Sequence, residues 1–566
     1  MSLRLSPFFL LVSIYFLSSL QITSVVSSSM STLKHFGSLF QRQNANHRVL
    51  GSKRHQSRAY ALTLRNEQVA FLARGGGGVL HSTENRTFGS TRESQSTNLN
   101  NRVFLAVGSN LGDRFQNIAT ALSLFCDPQF DESSYLPSEL VRTSFLHNTA
   151  PMYMTDQPPF LNGAVEINTE MSPHSLLARL KKVEMHLGRN FSEVRNGPRP
   201  VDLDVLCYDR ILTDRSSTSF SPVIVETPDL VVPHPLMQER EFVLAPLLEV
   251  AGANYQHPKL MGTIGDLFDQ LMSGQTTEAI RVLPLPRGRM ILFNETIIMG
   301  ILNVTPDSFS DGGEWNVSID LALQRALEMV EEGAGIIDIG GESTRPGAKE
   351  IAIEEQIQRT IPVIKRIRQE SDIPISIDTR HAAVARAAIE AGADIVNDVS
   401  GGVFDPDMLG TVADLGVPII LMHMRGTPET MQSQTNYDDI VDDVIDSLLL
   451  RSRNAELAGI PRWLQVVDPG IGFAKDMEGN LNLLKNLAKM RRRLRNVPIL
   501  LGTSRKKFIG ELTGETEPKG RDYGTVASSV AALCLGNGPM GCNILRVHNV
   551  KAAKQGAQVM DGIRSA

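Results

Sequence analysis

The sequence predicts two folded bodies of different class: an α+β domain of split β-α-β, ferredoxin-like type over residues 101–285, then an α/β (β/α)8 TIM barrel over residues 286–566. Three observations carry this reading. Strand and helix signals alternate irregularly from 102 to about 275, whereas after 295 short apolar strands and amphipathic segments repeat regularly. Ahead of both, residues 1–66 hold no Asp or Glu but eight Lys and Arg among many serines, the chemistry of an import presequence.

Residues 1–100 are therefore expected to be a targeting presequence and disordered spacer. The apolar run "PFFLLVSIYFL" (7–17) resembles a secretory core but is too short for a membrane span. Met30 opens a cleaner mitochondrial presequence, and "GGGG" (75–78) with the Ser/Thr/Asn tract after it reads as spacer. The expected location is the mitochondrial matrix after presequence removal, with a plastid reached by a bipartite signal as the alternative; no stable membrane span is expected in the mature chain. Composition is ordinary globular, with 42% apolar and 21% charged residues. A net charge of −6 argues against charge-driven nucleic-acid binding. The four cysteines, Cys126, Cys207, Cys534 and Cys542, lack CxxC spacing and read as reduced thiols without structural zinc.

In the first body "RVFLAVGSNL" and "FLNGAVEIN" read as strands, "SPHSLLARLKKVEMHLG" as a helix capped by Ser172, and "VDLDVLCYD" as a strand. Helices are expected on one face of the sheet. Prolines and a glycine in "RVLPLPRGRM" (281–290) mark the join to the second body. One feature is costly: Asp202 and Asp204 share a strand face, roughly 7 Å apart, amid Val201, Leu203, Val205 and Leu206. Two like charges there repel and resist burial, and Arg199 offsets only part of that.

The second body shows eight strands: "IIMGILNV", "GIIDIGG", "IPISIDT", "DIVNDVS", "PIILMHM", "LQVVDPG", "PILLGTS" and "CNILRVH". Eight βα units in about 270 residues suit a closed barrel, an open doubly wound sheet being the alternative. Nearly every strand ends in a chemically capable residue: Asn303, Thr344 with Arg345, Asp378, Asn397, His423, Asp468, Ser504 to Lys506, and Arg546 with His548. That rim is where barrel enzymes work. Arg345, Arg546, His548 and Lys506 suit phosphate oxygens, and Asp378, Asn397 and Asp468 suit a heterocycle rich in N–H donors. No Gly-Lys pair occurs, which excludes a GxxxxGK[ST] phosphate loop in either body.

"IMGILNVTPDSFSDGG" (298–313), "DIGGESTRPGA" (338–348), "DPGIGF" (468–473), "GTSRKKF" (502–508) and "RVHNV" (546–550) resemble dihydropteroate synthase, across essentially all of 296–563. The resemblance implies condensation of a dihydropterin pyrophosphate ester with p-aminobenzoate, with pyrophosphate leaving first. It implies that Asn303 helps bind one Mg²⁺, and that Arg345, Arg546 and His548 hold pyrophosphate. Asp378, Asn397, Asp468 and Lys506 would grip the pterin, with Asp378, Lys506 and Arg546 the catalytic set. Thr344 and Phe309 would lie near p-aminobenzoate, beside Pro346. Trp315 is as well explained by loop anchoring as by stacking on a substrate. Thr503 is a local departure without expected consequence.

In the first body "AVGSNLGDR" (106–114), "DQPPFLN" (156–162), "VEMHLGR" (183–189), "GPRPVDLD" (197–204) and "VPHPLMQEREFVLAPL" (232–247) resemble 6-hydroxymethyl-7,8-dihydropterin pyrophosphokinase. That implies transfer of pyrophosphate from the substrate ATP to a pterin alcohol, leaving AMP. Asp202 and Asp204 would bind two Mg²⁺, the cations relieving their repulsion. Arg189, Arg199, His234 and Arg240 are then cations for the phosphates, Glu184 faces the nucleotide, and Asp202, Asp204, Arg199 and Arg240 are the catalytic set. Asn162, Phe160 and Phe242 would contact the pterin. Phe160 and Asn196 depart from the resemblance, which has Tyr at the first and Trp or Tyr at the second. Partners are expected to be small molecules, with a homodimer through the barrel. Two rivals stay open: a pterin-binding methyltransferase barrel working with a corrinoid partner, and a synthase or scaffold carrying a decayed kinase.

Overall fold

The computed structural model describes residues 99–565 apart from 132–135, 193, 195, 215–216, 305–314, 346 and 536–541. The expected presequence, Phe309 and Pro346 lie outside the described residues. No helix among the described residues is long and apolar enough to cross a membrane.

The first body is an antiparallel sheet. Its strands are β1 (Asn101–Ser109), β2 (Ser138–Thr143), β3 (Leu146–Thr149), β4 (Phe160–Thr169), β5 (Asp202–Asp214) and β6 (Ser217–Pro222), with a two-stranded ribbon β7 (Val225–Glu226) and β8 (Val231–Val232) beside it. β1 is central, between β4 and β5. Helices Arg114–Cys126 and Pro173–His186 cover one face, the second capped by Ser172 as expected. The opposite face is also covered, by helices Glu241–Ala251 and Ile264–Met272, which corrects the expectation of helices on one side. The reason is legible in β1: "VFLAV" has no polar alternation, so Val103, Leu105 and Val107 bury on one side and Phe104 on the other. A bulge in β5 opposite Phe104 and Leu105 turns both Leu206 and Cys207 to the second face.

The expected join is folded. Residues 281–290 belong to a hairpin, β9 (Ile280–Pro284) and β10 (Met290–Leu292), in which β9 pairs antiparallel with β3 and so extends the first sheet. Pro284 ends β9 and the glycine turn reverses the chain. The second body follows as a parallel barrel of β11 (Ile297–Asn303), β12 (Ile336–Gly340), β13 (Ile375–Asp378), β14 (Ile395–Asp398), β15 (Ile419–Met422), β16 (Gln465–Asp468), β17 (Leu500–Leu501) and β18 (Ile544–Val547). The order is β16-β15-β14-β13-β12-β11-β18-β17, and a parallel bridge from Val467 to Ile499 joins the ends.

The barrel interior is graded along its axis. Ile336, Ile395, Val466 and Ile544 form an apolar floor with Met299 and Leu500. Two residues further on, the same inward face carries Asp338, Asn397, Asp468 and Arg546. Leu283, Leu285, Ile291 and Phe293 of the hairpin pack into that floor from the N-terminal end. Each such buried side chain contributes about 1.5–3 kcal/mol. The hairpin is thus shared, lengthening one sheet and stoppering the other.

Its turn is pinned by charge. Asp394, fully buried just ahead of β14, receives Arg287, Arg289 and Arg368 and accepts the Ile375 backbone N–H at 2.9 Å. Asp394→Ala should therefore lower unfolding free energy by about 3 kcal/mol, because three guanidinium groups lose their counter-charge. Denaturant unfolding of the full chain checks this; a loss under about 0.5 kcal/mol, as for an ordinary surface site, contradicts it.

Candidate functional site

At the first centre three adjacent strands place Asn162, Gly108 and Asp202 in line. A Cβ on Gly108 would lie 2.6 Å from Asn162 Oδ1 and 3.9 Å from Asp202 Cβ, so the glycine keeps the floor between them open. Asn162 donates to Thr149 Oγ1 at 2.8 Å. Asp202 accepts from Arg189 and, at 2.9 Å, from Arg199 Nη1. Burial opposes its charge, but the two arginines win and hold its carboxyl below the usual range. Asp204, opposite Ala106, has no arginine hydrogen bond among the described residues: the neighbouring Asp202 charge and then burial push it up to about 6, against the weaker pull of Lys181 and Arg189. The costly pair is therefore asymmetric, one carboxylate neutralised by arginine and the other short of a cation.

Glu184, expected to face the nucleotide, is fully buried, and its Oε1 accepts from Leu203 N at 2.7 Å and Arg189 Nη1 at 2.7 Å. Tying the strand to Arg189 is what its position does. His234 is not a cation: burial, then Arg240, lowers it to about 4, and its Nδ1 accepts from Leu236 N at 3.2 Å. Arg199 lies 5.6 Å from the Phe160 ring centroid and Arg240 lies 5.7 Å from that of Phe242. Asn196 adopts a left-handed conformation (φ 65°), and its carbonyl accepts from Gln157 at 3.0 Å. Sequence reading missed Gly108, Lys181 and Tyr153. Lys181 had a signal, since it stands three residues before Glu184 on one helix face and bonds it at 2.9 Å.

The second centre lies at the C-terminal end of the barrel strands, where the rim residues were expected. Arg546 donates from Nε to Asp338 Oδ2 at 2.7 Å and from Nη2 to Asp378 Oδ2 at 2.6 Å. Asn397 donates to both oxygens of Asp338, at 3.3 and 3.2 Å. Asp338 was missed; its signal was a lone carboxylate in "GIIDIGG", fully buried and so obliged to have a partner. Burial raises Asp378 to about 7, against the pull of Arg546, and raises Asp468 to about 6. Burial, then Arg546, lowers Lys506 to about 8, and its Nζ lies 4.0 Å from the Phe473 ring centroid. His548, expected to meet phosphate as a cation, is neutral. Burial and the Arg505 and Arg546 charges lower it to about 3, and Nδ1 lies 2.9 Å from Ser504 Oγ. Its remaining role toward an anion is as an N–H donor. Arg345 is exposed and Thr344 half-buried on the loop after β12, while Asn303 ends β11 beside Gly340. His423 is tied to the buried Lys475 at 3.0 Å. Arg505 turns away, paired through two bonds with Asp522.

Such centres can grip a polar heterocycle in the barrel and polyphosphate on the sheet, the work of a two-site transferase. Residues 104–252 match the family described as 7,8-dihydro-6-hydroxymethylpterin-pyrophosphokinase, and residues 299–548 match the pterin binding enzymes. The chain is similar to a mitochondrial folate synthesis bifunctional protein of Arabidopsis thaliana, 42% identical over 84% of each chain. A second folate synthesis bifunctional protein of Arabidopsis thaliana is 41% identical over 81% of this chain and 96% of its own length. The dihydropteroate synthase of Synechocystis is 47% identical over 50% of this chain and 95% of its own. The chain belongs to the folate synthesis bifunctional proteins, and it combines a hydroxymethyldihydropterin pyrophosphokinase with a dihydropteroate synthase.

Proposed function

We propose that the sheet centre transfers pyrophosphate from ATP to 6-hydroxymethyl-7,8-dihydropterin through Asp202, Asp204, Arg189, Arg199 and Arg240, and that the barrel rim then joins the product to p-aminobenzoate. The observation that carries the first half is the unequal pair: Arg189 and Arg199 hydrogen-bond Asp202, while the Asp202 charge and then burial hold Asp204 up against the weaker pull of Lys181 and Arg189. Carboxylates short of positive charge fit divalent cations, so Asp202 and Asp204 would hold Mg²⁺. When bound, the metal supplies charge neutralisation for the triphosphate. Among the described residues no group of three or more His, Cys, Asp or Glu suits a metal, so phosphate oxygens and water would complete the coordination. Arg199 and Arg240 orient the phosphates, while Asn162, Phe160 and Phe242 orient the pterin. At the barrel, Asn303 would help bind one Mg²⁺ together with pyrophosphate oxygens, the metal supplying charge neutralisation for the leaving group. Asp378, Asn397 and Asp468 accept or donate at the pterin edge, Lys506 lies against the ring on Phe473, and Arg546, Arg345 and His548 receive the departing pyrophosphate. Thr344 would lie toward p-aminobenzoate. The location we propose is mitochondrial, because the Arabidopsis thaliana relative 42% identical to this chain is a mitochondrial protein and residues 1–66 are acid-free and basic.

The pH dependence of condensation tests the barrel half. Asp378 must be ionised to accept from the pterin, so kcat/KM with supplied pterin pyrophosphate should rise through about pH 7. Lys506 must keep its proton, so the same quantity should fall above about pH 8. Asp378→Asn should remove the acid-side rise; an unchanged profile in that variant contradicts the assignment. AMP formation by the sheet half should vanish when Mg²⁺ is chelated.

A further inference from the structure

Arg240 differs from the other cations of the sheet centre. Arg189 and Arg199 are neutralised by Asp202, and Lys181 by Glu184. Among the described residues no carboxylate pairs with Arg240, and its Nε is buried without a hydrogen-bond partner. Two rings flank it instead: its guanidinium carbon is 5.7 Å from the centroid of Tyr153 and 5.7 Å from that of Phe242. Its Nη2 donates to the Tyr153 hydroxyl at 3.4 Å. The charge is thus held in place without being spent.

Tyr153 is an odd residue for that duty unless the duty matters. It is 60% exposed, so core packing does not hold its ring. Its φ of 68° is a left-handed conformation that residues bearing a Cβ rarely adopt. The loop carrying it is anchored. Gln157 donates to the carbonyls of Met154 at 2.7 Å and Asn196 at 3.0 Å, and Asn110 donates to Gln157 Oε1 at 3.0 Å. Asn110 Oδ1 in turn accepts the Arg199 backbone N–H at 2.8 Å. One bonded frame therefore fixes Tyr153 relative to the segment that bears Arg199.

We propose that Tyr153 is a positioning residue for the kinase reaction, its ring and hydroxyl setting the plane of Arg240 so that the guanidinium receives the ATP phosphates. An arginine free to rotate would lose side-chain entropy on meeting the anion; one already clamped loses less. The inference rests on reading Arg240 as a phosphate ligand, and the experiment separates the two.

In the full chain, kcat and KM for ATP are measured from AMP formation for Tyr153→Ala, Tyr153→Phe, Arg240→Ala and the double variant Tyr153→Ala/Arg240→Ala. Condensation from supplied pterin pyrophosphate reports whether the protein is intact. Tyr153→Ala should raise KM for ATP about tenfold with a smaller change in kcat, and Tyr153→Phe, which keeps the ring, should recover part of that. Condensation should not change, and the double variant should be no worse than Arg240→Ala alone. If Arg240→Ala is impaired while Tyr153→Ala matches the parent, the role of Tyr153 is overturned and the phosphate reading stands. If Arg240→Ala matches the parent, the phosphate reading falls and the inference with it. Additive losses in the double variant overturn the clamp as well. Should Tyr153→Ala lose both activities, Tyr153→Phe decides: a raised KM for ATP with intact condensation supports the clamp, and a KM equal to the parent's overturns it.

Discussion

Asp204→Asn is expected to cut AMP formation by about 10³-fold while leaving condensation from supplied pterin pyrophosphate unchanged. The reasoning is electrostatic. Asp204 is pushed up to about 6 by the Asp202 charge and by burial, a penalty that a divalent cation reverses and an amide does not need reversed. The variant keeps the size of the side chain and removes a repulsion, so it should fold at least as well as the parent. Loss of activity without loss of stability would separate a functional carboxylate from a structural one. The barrel serves as an internal control because its rim lies on the far side of the apolar floor that the hairpin stoppers. Equal loss of both activities would contradict the assignment.

Arg546→Ala is expected to slow condensation by about 10²–10³-fold and to let pterin pyrophosphate accumulate when ATP and hydroxymethyldihydropterin are supplied. Arg546 is the hub of the rim, bonded to Asp338 and Asp378, with Asn397 on the far side of Asp338. Its removal leaves Asp338 fully buried without its cation, so the thermal midpoint should fall too. Arg546→Lys separates the two effects. It retains the charge that Asp338 needs but not the planar fork that holds two groups at once. Stability should largely return in Arg546→Lys while condensation stays low. A fully active lysine variant would mean that charge alone suffices.

How much of this was legible beforehand depends on the kind of signal. The barrel could be read because its strands repeat one pattern, an aliphatic residue facing inward and a polar one two positions later, as in Ile395 and Asn397 or Val466 and Asp468. The carboxylate pair of β5 could be read because like charges on one strand face are expensive. The hairpin reads as a join because prolines and glycine break periodicity, a local property. Its pairing with β3 and its packing under β11 to β18 are long-range and leave no mark within ten residues. Charge states failed for the same reason. His548 and His234 look like cations in a string of letters, and it is burial first, then the arginines that folding brings beside them, that lowers both. Tyr153 was invisible because its partner, Arg240, is far away in sequence.

The central claim is that two independent centres on one chain act in series. The packed floor of the barrel closes passage along its axis, and transfer of the intermediate through solvent is the expectation put to the test. The most direct test mixes the Asp204→Asn and Arg546→Ala chains with hydroxymethyldihydropterin, ATP, Mg²⁺ and p-aminobenzoate, and follows dihydropteroate by mass. Each variant alone should make almost none, and the mixture should make it steadily, the pyrophosphate ester from one chain feeding the other. A mixture as silent as its components would contradict the account.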